Sequence, residues 1–459
     1  MIERGGARST ALNFLVAGTA PMATPRIDHI TLVETTFEAN NQVKTVLYVQ
    51  GANIDVGAKV FVDGAEQPSE AHKVLTNDMF GADPAVLGYQ IRHYLSRVVA
   101  LASRPAGSNV QVQVRNEKGE NSNVQNYALP RDAATLDSDG DGIPDVIELN
   151  GFNNGNGLVD LRAMGADPFR RDVFVEVDIM QGLTFVPIPA QGNRPGTFDL
   201  ARSMFANAPI LNPFGPSGIN LFVDASGRVP EAELVAFIAD DDPIRQIKSF
   251  DRLKEVHFTR PRRGLFHYAI WARAHPDGWS GQSNVDFDGT KVGNSFFVSF
   301  DEFPVSYQTL KSQAATFTHE LGHNLGQRHG GSSHSRYKPN YWSVMSYAWQ
   351  LRTGGPDSVR LQRPTCTQIF YAVAGAVETN GAMPATVGTA IDYSEGMGPT
   401  LKNSSLSEQR GVCGQPIDWN RDGAISNGTV SAIVDSDDPN ALEVTDHANW
   451  PNLLFHGPK

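Results

Sequence analysis

One segment of the chain combines residue types and spacing suited to metal chemistry, and it reads His-Glu-Leu-Gly-His-Asn-Leu-Gly-Gln-Arg-His from His319. On a helix, His319 and His323 are four residues apart, so their imidazoles project from one face. Gly326 tolerates positive φ and would turn the chain so that His329 reaches the same point. Three protein ligands with a fourth position open are typical of catalytic zinc. Glu320 adjoins His319 without being a ligand, which predicts a general base.

A second segment, Ser-Val-Met-Ser-Tyr, follows the histidines and ends at Tyr347. Taken alone, Met345 would be an ordinary core methionine. Together with the histidine motif, it resembles the Met-turn of the metzincin clan of zinc peptidases. The resemblance implies that Tyr347 is a fifth zinc ligand at rest and a hydrogen-bond donor to the tetrahedral intermediate during turnover. The alternative role of Tyr347 is packing.

The metzincin resemblance extends over roughly residues 172–459. It is sharpest at residues 318–331, at Tyr-Lys-Pro-Asn-Tyr (337–341) and at Asp-Tyr-Ser (392–394), which resemble a group of predicted bacterial metzincins with calcium loops. It implies an α/β (α+β) catalytic domain with a mixed twisted sheet and a long active-site helix. The upper subdomain would comprise residues 169–330 and the lower one 331–459. Gly330, directly after the third histidine, leaves the subfamily open.

An acidic loop precedes this region and reads Asp-Ser-Asp-Gly-Asp-Gly-Ile-Pro-Asp-Val-Ile-Glu. Its oxygen donors have the spacing of a calcium loop, with a glycine (Gly142) at position six for the turn. Pro144 departs from the EF-hand pattern and resembles thrombospondin type 3 repeats. The alternative is a solvated acidic linker over residues 131–168. The predicted calcium ligands are Asp137, Asp139, Asp141, the carbonyl of Ile143, Asp145 and Glu148.

A weaker calcium loop is predicted near the C-terminus, with ligands Asp418, Asn420, Asp422 and the carbonyl of Ala424. Position twelve of this loop is a threonine, so the bidentate carboxylate is missing. We expect Asp435 or Asp437 to fold back and replace it.

Residues 26–130 contain short alternating apolar runs separated by turn residues, which favours an all-β sandwich. The order of motifs resembles the IPT/TIG branch of immunoglobulin-like folds. Beyond residue 168 the pattern changes to mixed strands and helices. Strands are predicted at 171–180, 218–223, 265–272 and 296–300, and helices at 198–208, 243–256 and 307–325.

The formal charge of −12 disfavours nucleic acid and anionic lipid surfaces as partners. No apolar run is long enough to span a bilayer. The two cysteines, Cys366 and Cys413, do not form a CxxC pair, which excludes a structural zinc site based on cysteine. They are expected either to form one disulfide, as in an exported protein, or to remain free thiols. Residues 1–25 are either a leader or disordered.

These features predict a secreted zinc metalloendopeptidase that hydrolyses protein or peptide substrates, with catalytic zinc and structural calcium. The strand at 296–300 is predicted to be the sheet edge that pairs with extended substrate. One alternative is a calcium-dependent extracellular adhesion or matrix-binding protein with a residual zinc site. Another is an exopeptidase or a zinc hydrolase acting on a different bond. The sequence does not fix the oligomeric state.

Overall fold

The computed structural model describes residues 3–4, 7–8, 24–55, 57–76, 93–210, 212, 217–285, 293–304, 308–350, 391–394, 396, 398–411, 416–435 and 437–455. This part of the chain is mixed α+β, with many strands and few helices. Cys366 and Cys413 lie outside the described residues, as does most of the predicted leader. Among the described residues, no helix has both the length and the apolar character needed to cross a bilayer.

Two antiparallel sheets form the N-terminal part, after a two-stranded hairpin at its start. One sheet has the strand order β3-β4-β8-β7, with β9 paired to β4, and the other has the order β11-β10-β5-β6. The strands are β1 (Glu3–Arg4), β2 (Ala7–Arg8), β3 (Arg26–Glu38), β4 (Gln42–Ala52), β5 (Lys59–Val62), β6 (Ala65–Gln67), β7 (Ser69–Thr76), β8 (His93–Ala100), β9 (Arg104–Pro105), β10 (Asn109–Arg115) and β11 (Gln125–Ala128).

Period-two alternation explains why these segments pair as half-buried strands. In β10, Val110, Val112 and Val114 are buried while the residues between them face outward. These valines share one core with Leu47 and Val49 of the other sheet. The two sheets therefore pack face to face, as the alternating apolar runs predict.

The segment from 131 to 168 packs against the next sheet and contains little regular structure. It consists of a 3₁₀ turn (Ala133–Thr135), helix α1 (Asp145–Asn150), the hairpin β12 (Phe152–Asn153) and β13 (Leu158–Val159), and a second 3₁₀ turn (Arg162–Met164). Ile143, Phe152 and Leu161 are buried in the same core as Phe174 and Tyr268 of that sheet. A hydrogen bond from Leu32 N to Ser138 O (3.1 Å) joins the segment to the sandwich.

The central sheet has the order β15-β14-β18-β20-β19, in which only β19 is antiparallel to its neighbour. The strand predicted at 296–300 corresponds to β20, and β19 pairs along its outer side. The prediction that this strand forms the edge of the sheet is therefore wrong. The strands of this region are β14 (Asp172–Met180), β15 (Asn220–Val229), β16 (Leu234–Ala236), β17 (Ile247–Ser249), β18 (His267–Ala272), β19 (Gly281–Ser283) and β20 (Ser295–Ser299).

Helices cover both faces of this sheet. Helices α2 (Thr197–Ala206) and α4 (Leu310–Asn324) pack on one face, and α3 (Phe250–His257) packs on the other. The helix predicted at 243–256 begins only at Phe250. Its first part forms β17, which pairs with β16, and the Ser249 hydroxyl then caps α3 by accepting from Arg252 N (3.3 Å).

The C-terminal part lies beneath α4 and is mostly irregular. It contains α5 (Tyr347–Gln350), β21 (Leu401–Lys402), β22 (Leu406–Ser407), β23 (Thr429–Val430), β24 (Glu443–Val444) and a 3₁₀ turn (Trp450–Asn452). Trp450 is buried with its ring centroid 5.5 Å from that of Phe205. Leu454 N donates to Leu325 O (2.9 Å), so this segment contacts the end of α4 directly.

Candidate metal centres

Helix α4 positions the first two histidines, and its two ends are capped. Thr309 Oγ1 accepts from Ser312 N (3.1 Å) at the start. At the end, Gly326 N donates to His323 O (3.0 Å) and Gln327 N to Gly322 O (2.9 Å), which is a Schellman motif. Gly326 has φ +83°, which confirms the predicted sharp turn.

The Nε2 atoms of the three motif histidines converge. His323 Nε2 lies 3.1 Å from His319 Nε2 and 3.2 Å from His329 Nε2. His319 Nδ1 faces Val344 O (2.8 Å), and His323 Nδ1 faces Gln327 O (2.7 Å). A carbonyl only accepts, so these Nδ1 atoms carry the protons and the Nε2 atoms present lone pairs. Lone pairs directed at one point fit a transition-metal ion, and zinc takes such nitrogen ligands.

The protonation of these histidines fits the same role. Burial lowers the pKa of all three, and holds that of His323 at about 4. The neighbouring imidazoles lower the pKa of His319 and His329 further. The three rings are therefore neutral at physiological pH, which is the form that binds a metal.

Glu320 is buried and faces the edge strand β19. Its Oε2 accepts from Ser283 Oγ (3.1 Å), and the same hydroxyl donates to Glu320 O (2.6 Å). A β-carbon on Gly281 would lie 2.7 Å from Glu320 Oε1, so the bare glycine leaves room for the carboxylate. Burial raises the pKa of Glu320 to about 8 in the absence of a metal. A nearby divalent cation favours the carboxylate form and lowers that pKa.

Met345 lies beneath the histidine helix, where the Met-turn resemblance would put it. It is fully buried and packs against Gly322, between the two helical histidines. Tyr393 Oη donates to Thr318 O (2.5 Å) beside it. Val344 N donates to Asp392 O (2.9 Å), so the Asp-Tyr-Ser segment supports both the helix and this turn.

Tyr347 borders the histidines. Its ring centroid lies 4.5 Å from that of His329 and 5.7 Å from that of His319. Burial and the charge of Glu320 raise the pKa of its hydroxyl. The phenol therefore remains protonated and able to donate a hydrogen bond, and its ring lies beside those of His319 and His329.

The acidic loop folds around its own backbone amides. Asp137 accepts from Gly140 N (2.8 Å) and Gly142 N (2.9 Å), and Asp141 Oδ1 accepts from Ile143 N (2.7 Å). Gly142 has φ +87°, as the predicted turn requires. One oxygen each from Asp137, Asp139 and Asp141 lies within 4.8 Å of the others, and we call this set the loop triplet.

A further carboxylate, which the sequence reasoning missed, joins the loop from the central sheet. Asp172, the first residue of β14, donates its N–H to Asp141 Oδ2 (2.7 Å). Oxygens of Asp141, Glu148 and Asp172 lie within 4.8 Å of one another, and we call this set the joint triplet. The only sequence signal for Asp172 is an acidic residue at the start of a buried strand. It lies too far from the loop for any local spacing to include it.

Asp145, which was predicted to be a ligand at position nine, lies outside both triplets. Its oxygens accept from Ser138 N (2.8 Å) and Ser138 Oγ (2.7 Å). Asp145 begins helix α1, and through these two hydrogen bonds its side chain caps the loop at Ser138. Ile143, which was expected to supply its carbonyl, lies in the same loop with its side chain in the core below the sheet.

Burial and mutual repulsion raise the pKa values of both triplets. The pKa of Glu148 is raised to about 10 and that of Asp172 to about 7, in each case mainly by burial. The pKa values of Asp139 and Asp141 are raised well above normal for the same reason and by neighbouring carboxylates. Such a set of buried oxygens fits a hard cation such as calcium.

The second predicted calcium loop has a similar backbone but an exposed setting. Asp418 Oδ2 accepts from Gly423 N (2.8 Å), and Asp422 Oδ1 accepts from Ala424 N (2.9 Å). The side-chain amide of Asn420 donates to Asp422 Oδ2 (3.0 Å). The loop therefore brings its three predicted side chains together.

The carboxylates that were expected to complete this second loop are engaged elsewhere. Asp437 forms an ion pair with Arg336 (2.6 Å), and Asp435 accepts from Asp437 N (3.1 Å). The buried Glu408 supports the loop instead, accepting from Trp419 N (2.9 Å) and Ser426 N (2.8 Å). Glu408 precedes the loop, so a search for a ligand at position twelve does not find it.

Comparisons with protein-family models, curated proteins and solved structures give no match to this chain.

Proposed function

We propose that this chain is a zinc-dependent metalloendopeptidase of metzincin type. The observation that carries the proposal is the convergence of the Nε2 atoms of His319, His323 and His329, with Glu320 beside them. A zinc ion bound there would acidify water and polarise a carbonyl group. The buried Glu320 carboxylate accepts the proton of the attacking water and passes it to the leaving amine.

Two further features support peptide as the substrate. The edge strand β19 (Gly281–Ser283) runs beside Glu320, and its Ser283 contacts the carboxylate. An extended peptide can add to such an edge through main-chain hydrogen bonds, which binds an internal segment. Tyr347, next to the histidines, donates a hydrogen bond to the oxyanion that forms at the scissile carbonyl.

Calcium and export complete the proposal. The acidic loop binds calcium as a structural ion, and the exposed loop around Asp418 is a weaker calcium site. Millimolar calcium outside cells would fill weak sites, which favours a secreted protein. The partners are protein or peptide substrates and not nucleic acid, in keeping with the net negative charge.

The decisive experiment compares wild type with Glu320→Gln on a peptide library, with products identified by mass spectrometry and zinc by metal analysis. Glu320→Gln leaves the three imidazoles in place, so it retains zinc and loses cleavage by at least about 10²-fold. Glu302→Gln is the matched control, because Glu302 is exposed and lies outside the zinc motif. A zinc chelator abolishes cleavage by wild type.

Three results would contradict the proposal. Near-normal turnover by Glu320→Gln would refute the role of the carboxylate. Stoichiometric zinc in a wild-type protein that cleaves no library peptide would favour the calcium-dependent adhesion or matrix-binding alternative. Release of terminal residues alone would favour an exopeptidase.

A further inference from the structure

We propose that the acidic region between the sandwich and the central sheet binds two calcium ions that share Asp141. One ion is held by the loop triplet (Asp137, Asp139 and Asp141) and the other by the joint triplet (Asp141, Glu148 and Asp172). The inference rests on the calcium binding proposed above for this loop. It is independent of zinc and of peptide hydrolysis.

The geometry separates two sets of oxygens. Calcium binds oxygens at about 2.3–2.6 Å, so two ligands on one ion lie at most about 5 Å apart. Each triplet satisfies this limit with oxygens that are within 4.8 Å of one another. The two sets are distinct, and Asp141 is their common member. A bridging carboxylate between two neighbouring cations is the arrangement that this geometry provides.

Glu148 supplies an independent indication of a ligand. Its side chain is completely buried, and neither Oε1 nor Oε2 accepts from an N–H group or a hydroxyl; the neighbouring polar group is the Asp172 carboxyl. A buried carboxylate without donors is strongly destabilising unless a proton or a cation compensates it. Asp139 Oδ2 is likewise buried without a hydrogen-bond donor, on the side of the loop triplet. Each triplet therefore contains a buried carboxylate oxygen that accepts no hydrogen bond from an N–H group or a hydroxyl.

The local charge balance favours two ions over one. The two triplets contain five carboxylates, and the fully buried cation beside them is Arg171. The charge of Arg171 acts on the three residues of the loop triplet. Five carboxylates and one guanidinium leave a charge of −4, which two divalent cations balance. Two further charges lie near the joint triplet: Arg170, which lowers the pKa of Asp172, and Asp145, which raises the pKa of Glu148. The positive charge of Arg170 and the negative charge of Asp145 cancel in this sum.

The second ion would connect two parts of the chain. Glu148 belongs to α1 in the segment between the domains, whereas Asp172 is the first residue of β14 in the central sheet. The chain just before β14 orients the Asp172 carboxylate, because Asp167 N donates to it (3.1 Å). An ion held by the joint triplet would thus fix the segment 131–168 to the central sheet, on which helix α4 packs.

The test uses the full chain and calcium alone as the ligand. Equilibrium dialysis with radioactive calcium counts the ions bound by wild type, Asp172→Asn and the control Asp160→Asn. Asp160 is exposed in the same segment and lies outside both triplets, so this variant removes an equal charge. We expect Asp172→Asn to bind one calcium ion fewer than wild type, and Asp160→Asn to bind the same number. The loop around Asp418 contributes equally to all three proteins.

A second measurement needs no variant. Terbium takes oxygen ligands as calcium does, and anomalous scattering from wild-type crystals soaked in terbium shows where it binds. Two peaks about 4 Å apart on either side of Asp141 are expected. A single peak there, or an unchanged calcium count in folded Asp172→Asn, would overturn the two-ion inference. No peak near Asp141 would overturn calcium binding by this loop altogether, while the zinc peptidase proposal would stand on its own tests.

Discussion

Met345 packs directly against Gly322, which lies on α4 between the motif histidines His319 and His323. A β-carbon on Gly322 would collide with the Met345 sulfur and lie 2.7 Å from Tyr393 Oη. Gly322→Ala should therefore push the helix away from the turn that carries Val344 O, the partner of His319 Nδ1. We expect it to lower the free energy of unfolding by about 1–3 kcal/mol and to weaken zinc binding.

Thermal unfolding and competition with a zinc chelator would measure both effects of Gly322→Ala. Gly428→Ala is a suitable control, because the nearest atom to its added β-carbon would be 3.9 Å away. Equal stability and zinc affinity in wild type and Gly322→Ala would show that the turn is not tightly packed beneath the helix.

Tyr347→Phe tests whether the phenol acts in catalysis. The ring remains to pack on His329, but the hydroxyl donor is lost. We expect kcat to fall by about 10²-fold, the usual cost of removing one oxyanion donor, with little change in zinc affinity. A fluorogenic peptide assay combined with zinc competition would separate the two effects, with Tyr127→Phe in the sandwich as the matched control. An unchanged kcat would assign Tyr347 to packing alone.

Ser283→Ala tests the positioning of Glu320. The serine hydroxyl lowers the pKa of Glu320 by donating to its carboxylate, so its removal should raise that pKa. The base must be ionised, and the acidic limb of kcat/KM should therefore move to higher pH. A hydrogen bond to a charged group contributes about 1.5 kcal/mol, which corresponds to a shift of about one pH unit. Ser299→Ala, whose hydroxyl donates to Trp279 O (2.7 Å), should leave the profile unchanged.

The stabilisation by calcium should depend on pH. Without calcium, burial raises the pKa of Asp172 to about 7, against about 4 for an unfolded aspartate. The folded state then binds more protons than the unfolded state, so the stability of calcium-free protein falls as pH rises through this window. Calcium replaces those protons, and the increase in Tm that it causes should grow from about pH 5 to pH 8.

Calorimetry at several pH values, with calcium removed or at millimolar concentration, would measure this effect. The Asp172→Asn variant should show a smaller dependence on pH, because one titrating carboxyl is gone. An increase in Tm that is identical at pH 5 and pH 8 would contradict protonation of these carboxylates in the calcium-free state.

Structural features that depend on residues close together in the sequence were predicted well. The spacing of His319 and His323 on a helix and the positive φ of Gly326 depend only on neighbouring residues, and the structure confirms both. The half-buried strands of the sandwich were also predictable, because alternation of apolar residues is a local pattern. The roles assigned to the zinc and calcium residues remain predictions.

Contacts between distant segments were not predictable in this way. Asp172 and Ser283 reach their partners, Glu148 and Glu320, only because the central sheet brings them there. No spacing rule links such residues. The contact of Asp145 with Ser138 is a further example, since the position of Asp145 in the loop pattern indicates a ligand and does not predict that its carboxylate accepts from Ser138.

The contact between the last part of the described chain and the turn after α4 has a consequence for synthesis. Gln327 donates through Nε2 to Asn452 O (2.6 Å) and accepts from Asn449 Nδ2 (2.8 Å), and Leu454 packs against Gly326. These residues hold the turn that carries His329, yet they are made more than one hundred residues later. While they are still inside the ribosome, the emerging chain has the helix with two histidines but lacks the support for the third. We therefore expect the nascent polypeptide to be unable to digest itself or its neighbours until Asn449, Asn452 and Leu454 have emerged.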